Sequence, residues 1–326
     1  MKARGGTDAS EEADQIVEVA AGVVQRDDGS FLLASRPSDK PYAGYWEFPG
    51  GKLETGESAR DALVRELAEE LGIEAHVVYP WLCRIYAYKH ATVRIRFLRV
   101  RRWSGELCPQ EGQAISWQWP DFLTVSPMLP ANTPILKALS LPSEYAISNA
   151  HEIGVTPALA KLDIALARGL RLVQIRERDL DQTARTRFAA EVVKRTHRAG
   201  GRVVVSGSEE LATAVGADGV HLTAVQLMVA QRRPALPWCG ASCHDEAELR
   251  RAEELGMDFA VLGPVCRTDS HPAVVPMGWE RFTRLAENRS IPVYALGGLG
   301  RQDLEQAWSC GAHGVSMMRG AWHADA

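Results

Sequence analysis

The sequence lacks long apolar runs, paired cysteines and any excess of positive charge. No run approaches the ~20 apolar residues of a membrane-spanning helix, so no membrane association is expected. The six cysteines are scattered without a Cys-x-x-Cys pair, which predicts free thiols in a reducing compartment rather than disulfides or a zinc site. A net charge of −4 supplies no positive field that would hold DNA. These absences favour a protein that acts on small ligands.

Length and composition indicate two ordinary folded domains. Apolar residues make up 46% of the chain and charged residues 24%, as in average globular proteins, and 326 residues suit two domains of usual size. Segment 1–15 has no apolar periodicity and no signal-peptide core, which predicts a flexible tail and a cytoplasmic protein. Prolines crowd residues 120–142, so we expect a first domain over 16–142 and a second over 143–326.

The first domain is predicted to combine short strands with one well-defined helix. The predicted elements are strands Val17–Val24 and Phe31–Ala34, helix Ala59–Leu71, and strands Val77–Leu82 and Ala91–Arg101. The turn Asp27–Ser30 joins the first two strands, which predicts a hairpin. A proline-containing loop then leads to Gly50 and Gly51. Leucines four residues apart form the apolar stripe of the helix, and Gly72 follows as its C-terminal cap.

Three glutamates project from one face of this helix. Glu66, Glu69 and Glu70 are three and four residues apart, a spacing at which like charges repel unless a cation lies between them. Dense carboxylates suit Mg²⁺, or Mn²⁺, because these ions take oxygen ligands and share them with substrate phosphates. Arg65 is placed to pair with Glu69 or Glu57 and to orient the acidic cluster. Taken alone, the helix is more simply explained as a solvated acidic face.

The wider segment 51–73 changes that interpretation. It fits the spacing Gly-x5-Glu-x7-Arg-Glu-U-x-Glu-Glu-x-Gly-U, in which U is aliphatic, at every position. At a frequency of roughly 7% per residue, seven fixed positions would coincide by chance about once in 10⁸ starts, so the solvated face is the weaker explanation. The positions are Gly51, Glu57, Arg65, Glu66, Leu67, Glu69, Glu70, Gly72 and Ile73. The segment resembles the box of the Nudix hydrolases, which implies an α/β/α sandwich and Mg²⁺-dependent cleavage of a nucleoside diphosphate linked to another group.

Features outside the box resemble the MutT-type branch, the 8-oxo-dGTP diphosphatases, over residues 16–140. This resemblance implies a metal site formed by Gly50, Glu66, Glu69, Glu70 and Glu111. It implies nucleotide contacts from Arg36, Phe48, Gly50, Gly51, Lys52 and Asn132. Water would attack the β-phosphorus and release 8-oxo-dGMP and pyrophosphate, with Glu66 as general base and Glu111 as the alternative. Another nucleoside diphosphate compound is the alternative substrate.

The second domain alternates short apolar runs with helical patterns such as Ala184–Arg198. Eight runs predict eight parallel strands, the number that closes a (β/α)8 TIM-type barrel. The predicted strands are Tyr145–Ile147, Arg171–Ile175, Val203–Val205, Gly219–Leu222, Gly240–Ser242, Phe259–Leu262, Pro292–Leu296 and Gly314–Met317. The fold class expected for the whole chain is therefore α/β.

Motifs at the ends of these strands follow one order along the second domain. They are Gln174–Asp179, Ala217–Leu222, Gly240–His244, Gly263–Pro264, Ala295–Leu299 and Gly311–Ser316. In this order they resemble the family of thiamine phosphate synthases and thiazole tautomerases (TenI). The resemblance implies a site for a thiamine-pathway phosphate lined by Gln174, Arg176, Arg178, Ser242, His244, Thr268, Gly298 and Ser316. Glycines suit phosphate here, because loops after the last strands of such barrels present backbone N–H groups.

The barrel also departs from the synthase pattern. Ser206–Gly207 and Gln226 stand where the synthases carry acidic metal ligands, and His271 stands near Thr268 in place of a basic partner of pyrophosphate. Neutralising a pyrophosphate leaving group without a metal is difficult, so we expect no synthase activity. His244 matches the acid–base residue of the tautomerases, which need only proton transfer. The hypotheses for the barrel are a thiazole tautomerase, a sensor of a phosphorylated ligand, or a barrel that only stabilises the protein, with an active thiamine phosphate synthase as the remaining alternative.

Overall fold

The computed structural model describes residues 16–89, 91–268 and 274–322. The chain forms two compact units, each with its own internal contacts. One consists of the chain up to Val78 with Cys83–Thr133, and the other of Tyr79–Leu82 with the chain from Pro134 on. The tail predicted at 1–15 and the substitution noted at His271 lie outside the described residues. No helix in the described part is long and apolar enough to cross a membrane. All six cysteines are free thiols, as predicted.

The first unit contains two sheets and one long helix. Its strands are β1 (Val17–Val24), β2 (Phe31–Ser35), β3 (Trp46–Glu47), β4 (Gly50–Lys52), β5 (Glu74–Ala87), β6 (Thr92–Ser104) and β7 (Ile115–Gln118), with helix α1 (Ala59–Leu71) between β4 and β5. One sheet has the order β4-β1-β6-β5 and the other β3-β2-β7. The segment before the box, predicted as a loop, therefore contains two short strands.

The hairpin predicted from β1 and β2 forms only next to its turn, where one antiparallel bridge joins Gln25 to Phe31, and the two strands then lie in different sheets. The turn itself forms, with Gly29 at φ +85° and the Asp28 carboxylate accepting hydrogen bonds from Ser30. Residues 20–24 of β1 are buried, as expected for a strand in the interior of a sheet. β1 accordingly pairs with β6 in parallel and with β4 in antiparallel orientation, while β2 pairs with β3 and β7.

Helix α1 has the bounds that the sequence predicts. The Ser58 hydroxyl accepts a hydrogen bond from the backbone N–H of Asp61 at the N-terminus, and Gly72 ends the helix in the left-handed conformation, at φ +70°. The predicted leucine stripe is fully buried against residues of β1 and β6. Since the leucines occupy one face, the three box glutamates are held on the faces that the core leaves open.

The second unit is a closed parallel barrel, as predicted. A short helix α2 (Thr133–Leu139) precedes it, and its strands are β8 (Glu144–Ile147), β9 (Leu172–Ile175), β10 (Arg202–Ser206), β11 (Gly219–Leu222), β12 (Trp238–Cys243), β13 (Phe259–Leu262), β14 (Val293–Leu296) and β15 (Gly314–Met317). Its helices are α3 (Ala150–Ile153), α4 (Val155–Ala167), α5 (Gln182–Arg198), α6 (Glu209–Val215), α7 (Ala224–Val229), α8 (Glu246–Glu254), α9 (Gly278–Ala286) and α10 (Leu304–Ser309). A 3₁₀ turn at Gly320–Trp322 follows β15.

The barrel interior is a packed aromatic core rather than a pore. The rings of Tyr145, Phe259 and Tyr294 contact one another at centroid distances of 5.4–5.6 Å. Leu172 and Val204 belong to the same buried cluster. Because all eight strands are parallel, the loops after them lie at one end of the barrel, where ligands bind in barrels of this type.

Candidate active site

Arg65 connects the acidic residues of the box. Its Nε and Nη2 each donate a hydrogen bond of 3.0 Å to the carboxylate of Glu57, and Nη1 donates to Glu66 at 3.0 Å and to Glu69 at 3.2 Å. Nη2 also donates to the Lys52 carbonyl. Both pairings that the sequence allows for Arg65 are therefore present. The hydrogen bonds from Arg65 lower the pKa of Glu57, and those to Glu57 and Glu66 raise the pKa of Arg65.

Gly51 lets the backbone of β4 contact the carboxylate of Glu66. A Cβ atom at position 51 would lie 2.1 Å from Cδ of Glu66, far inside van der Waals contact. The neighbouring Gly50 has φ +144°, and a Cβ there would lie 2.1 Å from the Ala20 carbonyl oxygen. At position 50 only glycine fits, and at position 51 a Cβ would force the Glu66 carboxylate to move, so these two glycines bring the main chain against the acidic face of α1.

Glu70 and Glu111 share one cation, Lys40. The Lys40 Nζ lies 2.6 Å from Glu111 Oε2 and 3.7 Å from Glu70 Oε1. Burial raises the pKa of Glu70 to about 7, an effect that Lys40 opposes and the charges of Glu66 and Glu111 reinforce. The Gln113 side chain connects the Glu111 loop to the end of α1, because its Oε1 accepts a hydrogen bond from the Glu111 backbone N–H and its Nε2 donates to the Glu70 carbonyl. Glu111 is thus brought to the box by tertiary structure.

The predicted nucleotide contacts have different surroundings. Arg36 donates two hydrogen bonds of 2.7 Å to the carboxylate of Glu47, whose pKa is raised by burial despite Arg36. Phe48 is 3% exposed and packs against Phe31 and Phe97. Asn132 is 4% exposed and ends a 3₁₀ turn. The Phe48 ring therefore packs in the core, and the nucleotide roles of Arg36, Phe48 and Asn132 stay predictions.

The donor set suits a divalent metal, but its side chains are paired with cations. In the parts of the chain that the structure describes, no three Asp, Glu, His or Cys side chains form a group that could hold a metal ion. Arg65 holds Glu66 and Lys40 holds Glu70 and Glu111. Carboxylate and carbonyl oxygens are the donors that Mg²⁺ prefers, and the contact of Gly51 with Glu66 places main chain among them. Gly50, Glu66, Glu69, Glu70 and Glu111 would hold the ion, which would polarise phosphate and activate water.

The second candidate site lies at the ends of the barrel strands. Gln174 and Ser316 are 3% and 1% exposed, and no described group hydrogen-bonds to the buried Ser316 hydroxyl. Burial, together with Arg178, lowers the pKa of Arg176. His244 is exposed, and its Nδ1 lies 2.9 Å from a Glu248 carboxylate oxygen. Arg178 and Gly298 are exposed and Thr268 is partly buried.

A chain of hydrogen bonds leads from the barrel core to this end. Tyr145 Oη lies 3.1 Å from His221 Nδ1, and His221 Nε2 lies 3.0 Å from Ser242 Oγ. Burial lowers the pKa of His221 to about 3, so the ring is neutral. A neutral ring carries one N–H, so His221 donates one of these two hydrogen bonds and accepts the other, and thereby couples the Tyr145 hydroxyl to the Ser242 hydroxyl.

An amide side chain joins the two positions where the synthase pattern expects acids. Gln226 Nε2 donates to the Gly207 carbonyl at 2.8 Å, and Gln226 Oε1 accepts from the backbone and hydroxyl of Thr223. A Cβ at position 207 would lie 3.2 Å from Gln226 Oε1, and Gly207 has φ +73°. The two loops are therefore tied together directly by neutral groups.

Three residues near the two sites escaped the sequence interpretation. Lys40 lies in a loop and Glu47 in the two-residue strand β3, and neither segment is long enough to carry a periodic signal. Glu177 is fully buried, and its carboxylate accepts hydrogen bonds from the Ser148 hydroxyl and from the backbone of Ala150 and His151. The inward position of Glu177 could not be inferred because its neighbours Arg176 and Arg178 suggest a solvated loop.

Both halves of the chain match known families. A NUDIX domain model matches residues 17–139, and a thiamine monophosphate synthase model matches residues 144–321. CTP pyrophosphohydrolase of Escherichia coli is 42% identical over 129 residues, which cover 38% of this chain and 91% of that protein. A Geobacter sulfurreducens protein provisionally named thiamine-phosphate synthase is 35% identical over 180 residues, covering 54% of this chain and 84% of that protein.

A solved structure from a study of MutT of Aliivibrio salmonicida and Vibrio cholerae is 31% identical, with a TM-score of 0.34, and covers 38% of this chain and 97% of that one. The acidic helix of the first unit and the parallel barrel of the second define a hydrolase domain of mixed α/β structure followed by a TIM-type barrel. The chain belongs to the Nudix hydrolases over its first part and to the thiamine monophosphate synthase family over its second.

Proposed function

We propose that the first unit is a Mg²⁺-dependent pyrophosphohydrolase of nucleoside triphosphates, releasing a nucleoside monophosphate and pyrophosphate. The observation that carries the proposal is that the charges of Glu66 and Glu111 both act on the half-buried Glu70, while Gly51 brings main chain against Glu66. Carboxylates in this density support a metal that spreads the charge developing on the phosphates. Arg65 orients the cluster through its bond to Glu57.

The proposed substrate is 8-oxo-dGTP, and CTP is the second candidate. The first is favoured by Arg36, Phe48 and Asn132, which follow the MutT-type spacing. The second is favoured by the relative from Escherichia coli, which is named for CTP. Both substrates would yield pyrophosphate through the same attack at the β-phosphorus, so the difference lies in the contacts to the base.

A substrate panel with purified full-length protein tests this proposal. We expect Mg²⁺-dependent pyrophosphate release with 8-oxo-dGTP at a higher kcat/KM than with dGTP, CTP, ADP-ribose or diadenosine polyphosphates. Glu70→Gln should lower kcat by about 10² or more, because it removes the charge that the metal requires. Glu74→Gln, an exposed residue at the start of β5, is the matched control. A higher kcat/KM for CTP would replace the proposed substrate, and turnover unaffected by Glu70→Gln would reject the mechanism.

For the barrel, we propose that it binds a phosphorylated thiazole and catalyses its tautomerisation, without synthase activity. Gln226 and Gly207 are neutral and bond to each other where a synthase would need acidic ligands for the metal that assists departure of pyrophosphate, which supports the absence of synthase activity. The exposed ring of His244, whose Nδ1 lies close to the Glu248 carboxylate, supports acid–base chemistry. Aromatisation of a thiazole carboxylate phosphate should be observed with the full chain and lost in His244→Ala. Calorimetry with thiazole and pyrimidine phosphates distinguishes a barrel that senses a ligand from one that binds none. Formation of thiamine phosphate would contradict the proposal.

A further inference from the structure

Lys40 forms ion pairs with two of the carboxylates assigned to the metal. Its Nζ lies 2.6 Å from Glu111 and 3.7 Å from Glu70, while the Lys40 and Glu111 side chains remain partly exposed. The ammonium group therefore lies against the same carboxylates that the proposed function assigns to a divalent cation.

The loop that carries Lys40 is held in place by its own hydrogen bonds. Arg36 at the start of the loop bonds through its backbone to Tyr45 and Gly44, and its Nε donates to the Pro41 carbonyl at 2.7 Å. The Lys40 backbone N–H donates to the Pro37 carbonyl. The ammonium thus reaches Glu70 and Glu111 from a closed loop rather than from a freely moving segment.

An ammonium and a divalent ion on the same carboxylates repel each other. Two oxygens of Glu70 and Glu111 already share the charge of Lys40, so a metal that takes these oxygens must weaken or displace that pairing. Arg65 also bonds to Glu66 and Glu69, but its fork to Glu57, which is not a proposed ligand, keeps its charge paired when a metal binds. Both carboxylates that Lys40 contacts, Glu70 and Glu111, are by contrast proposed ligands.

We propose that Lys40 is an internal competitor of the catalytic metal, which the divalent ion displaces from Glu70 and Glu111 when it binds. This inference rests on the proposed function, since it assumes that those carboxylates hold the metal. Lys40 would thereby raise the metal concentration that is needed to fill the site.

Binding of Mn²⁺ to the full-length protein without nucleotide, measured by electron paramagnetic resonance of the free ion, tests the inference. Lys40→Met should bind Mn²⁺ about two- to fivefold more tightly than wild type, the range that a partly exposed ion pair contributes. Lys40→Arg keeps the charge and should bind like wild type. Lys89→Met removes one charge from an exposed position of the same unit and is the matched control.

The outcomes separate this inference from the function on which it rests. Unchanged or weaker Mn²⁺ binding by Lys40→Met, with normal binding by wild type, would overturn the competition and leave the proposed metal site intact. Tighter binding by both Lys40→Met and Lys89→Met would overturn it as well, because general charge would then explain the effect. Failure of wild type and Lys40→Met alike to bind Mn²⁺ would reject both the metal-dependent function and the competition.

Discussion

Arg65 donates two parallel hydrogen bonds of 3.0 Å to the carboxylate of Glu57, which lies before α1 in the chain. This fork connects the loop at the start of α1 to the catalytic face of the helix. It leaves Nη1 to contact Glu66 and Glu69. The glutamates of the box are therefore oriented by a residue of the box itself, and the consequences of this geometry can be measured.

Arg65→Lys should lower kcat/KM for the nucleotide by about tenfold or more while the unfolding midpoint stays nearly constant. A lysine keeps the charge but cannot form the fork, and partly exposed ion pairs contribute only about 1 kcal/mol or less to stability. Pyrophosphate release and thermal unfolding provide the two readouts. Arg60→Lys, at an exposed position of the same helix, is the control. Equal activity of the two variants would show that charge alone orients Glu66.

Gly51→Ala should remove most activity without unfolding the protein. The new Cβ would lie 2.1 Å from the end of the Glu66 side chain, which can move away, so we expect a fall of about tenfold or more in kcat with little loss of stability. Gly29→Ala should show the reverse pattern, because Gly29 has φ +85° and open space around it. Full activity of Gly51→Ala would mean that the position of Glu66 is unimportant.

Gln226→Ala should destabilise the barrel by about 1–3 kcal/mol, because the Gly207 carbonyl and the Thr223 N–H lose their partner. Urea unfolding followed by circular dichroism measures the change. Gln231→Ala is the control, since this exposed amide bonds only to the nearby Val229 carbonyl. Identical unfolding of both variants would mean that water replaces the bridge at no cost.

His221 should make the protein less stable in acid. Burial lowers its pKa to about 3 in the folded state, whereas an unfolded histidine titrates near about 6.5. Between these values the unfolded chain binds more protons, so the free energy of unfolding falls as the pH decreases from about 6.5 to about 3. His221→Gln should be less stable at neutral pH but show a flatter acid limb in chemical denaturation. Parallel stability curves for both proteins would contradict the neutral buried ring.

Local spacing explains why much of the fold and part of the site follow from sequence. Helix α1, its caps at Ser58 and Gly72 and the shared face of its glutamates depend on residues a few positions apart. The barrel strands follow from short apolar runs whose neighbours in the chain are also neighbours in the barrel. Local spacing predicted the turn after β1 but not the partners of this strand, because β4 and β6 are distant from it in sequence.

The sequence by itself determined the Nudix box, the barrel and the identity of the acidic residues, because each is encoded by periodic or fixed local spacing. Only the tertiary structure decided which charges meet. Lys40 contacts Glu111 across 71 positions, and Tyr145 contacts His221 across 76. Contacts of this range leave no periodic trace in the chain, since they depend on how loops and strands pack. The cations and hydrogen-bond partners that control both sites therefore became visible only in three dimensions.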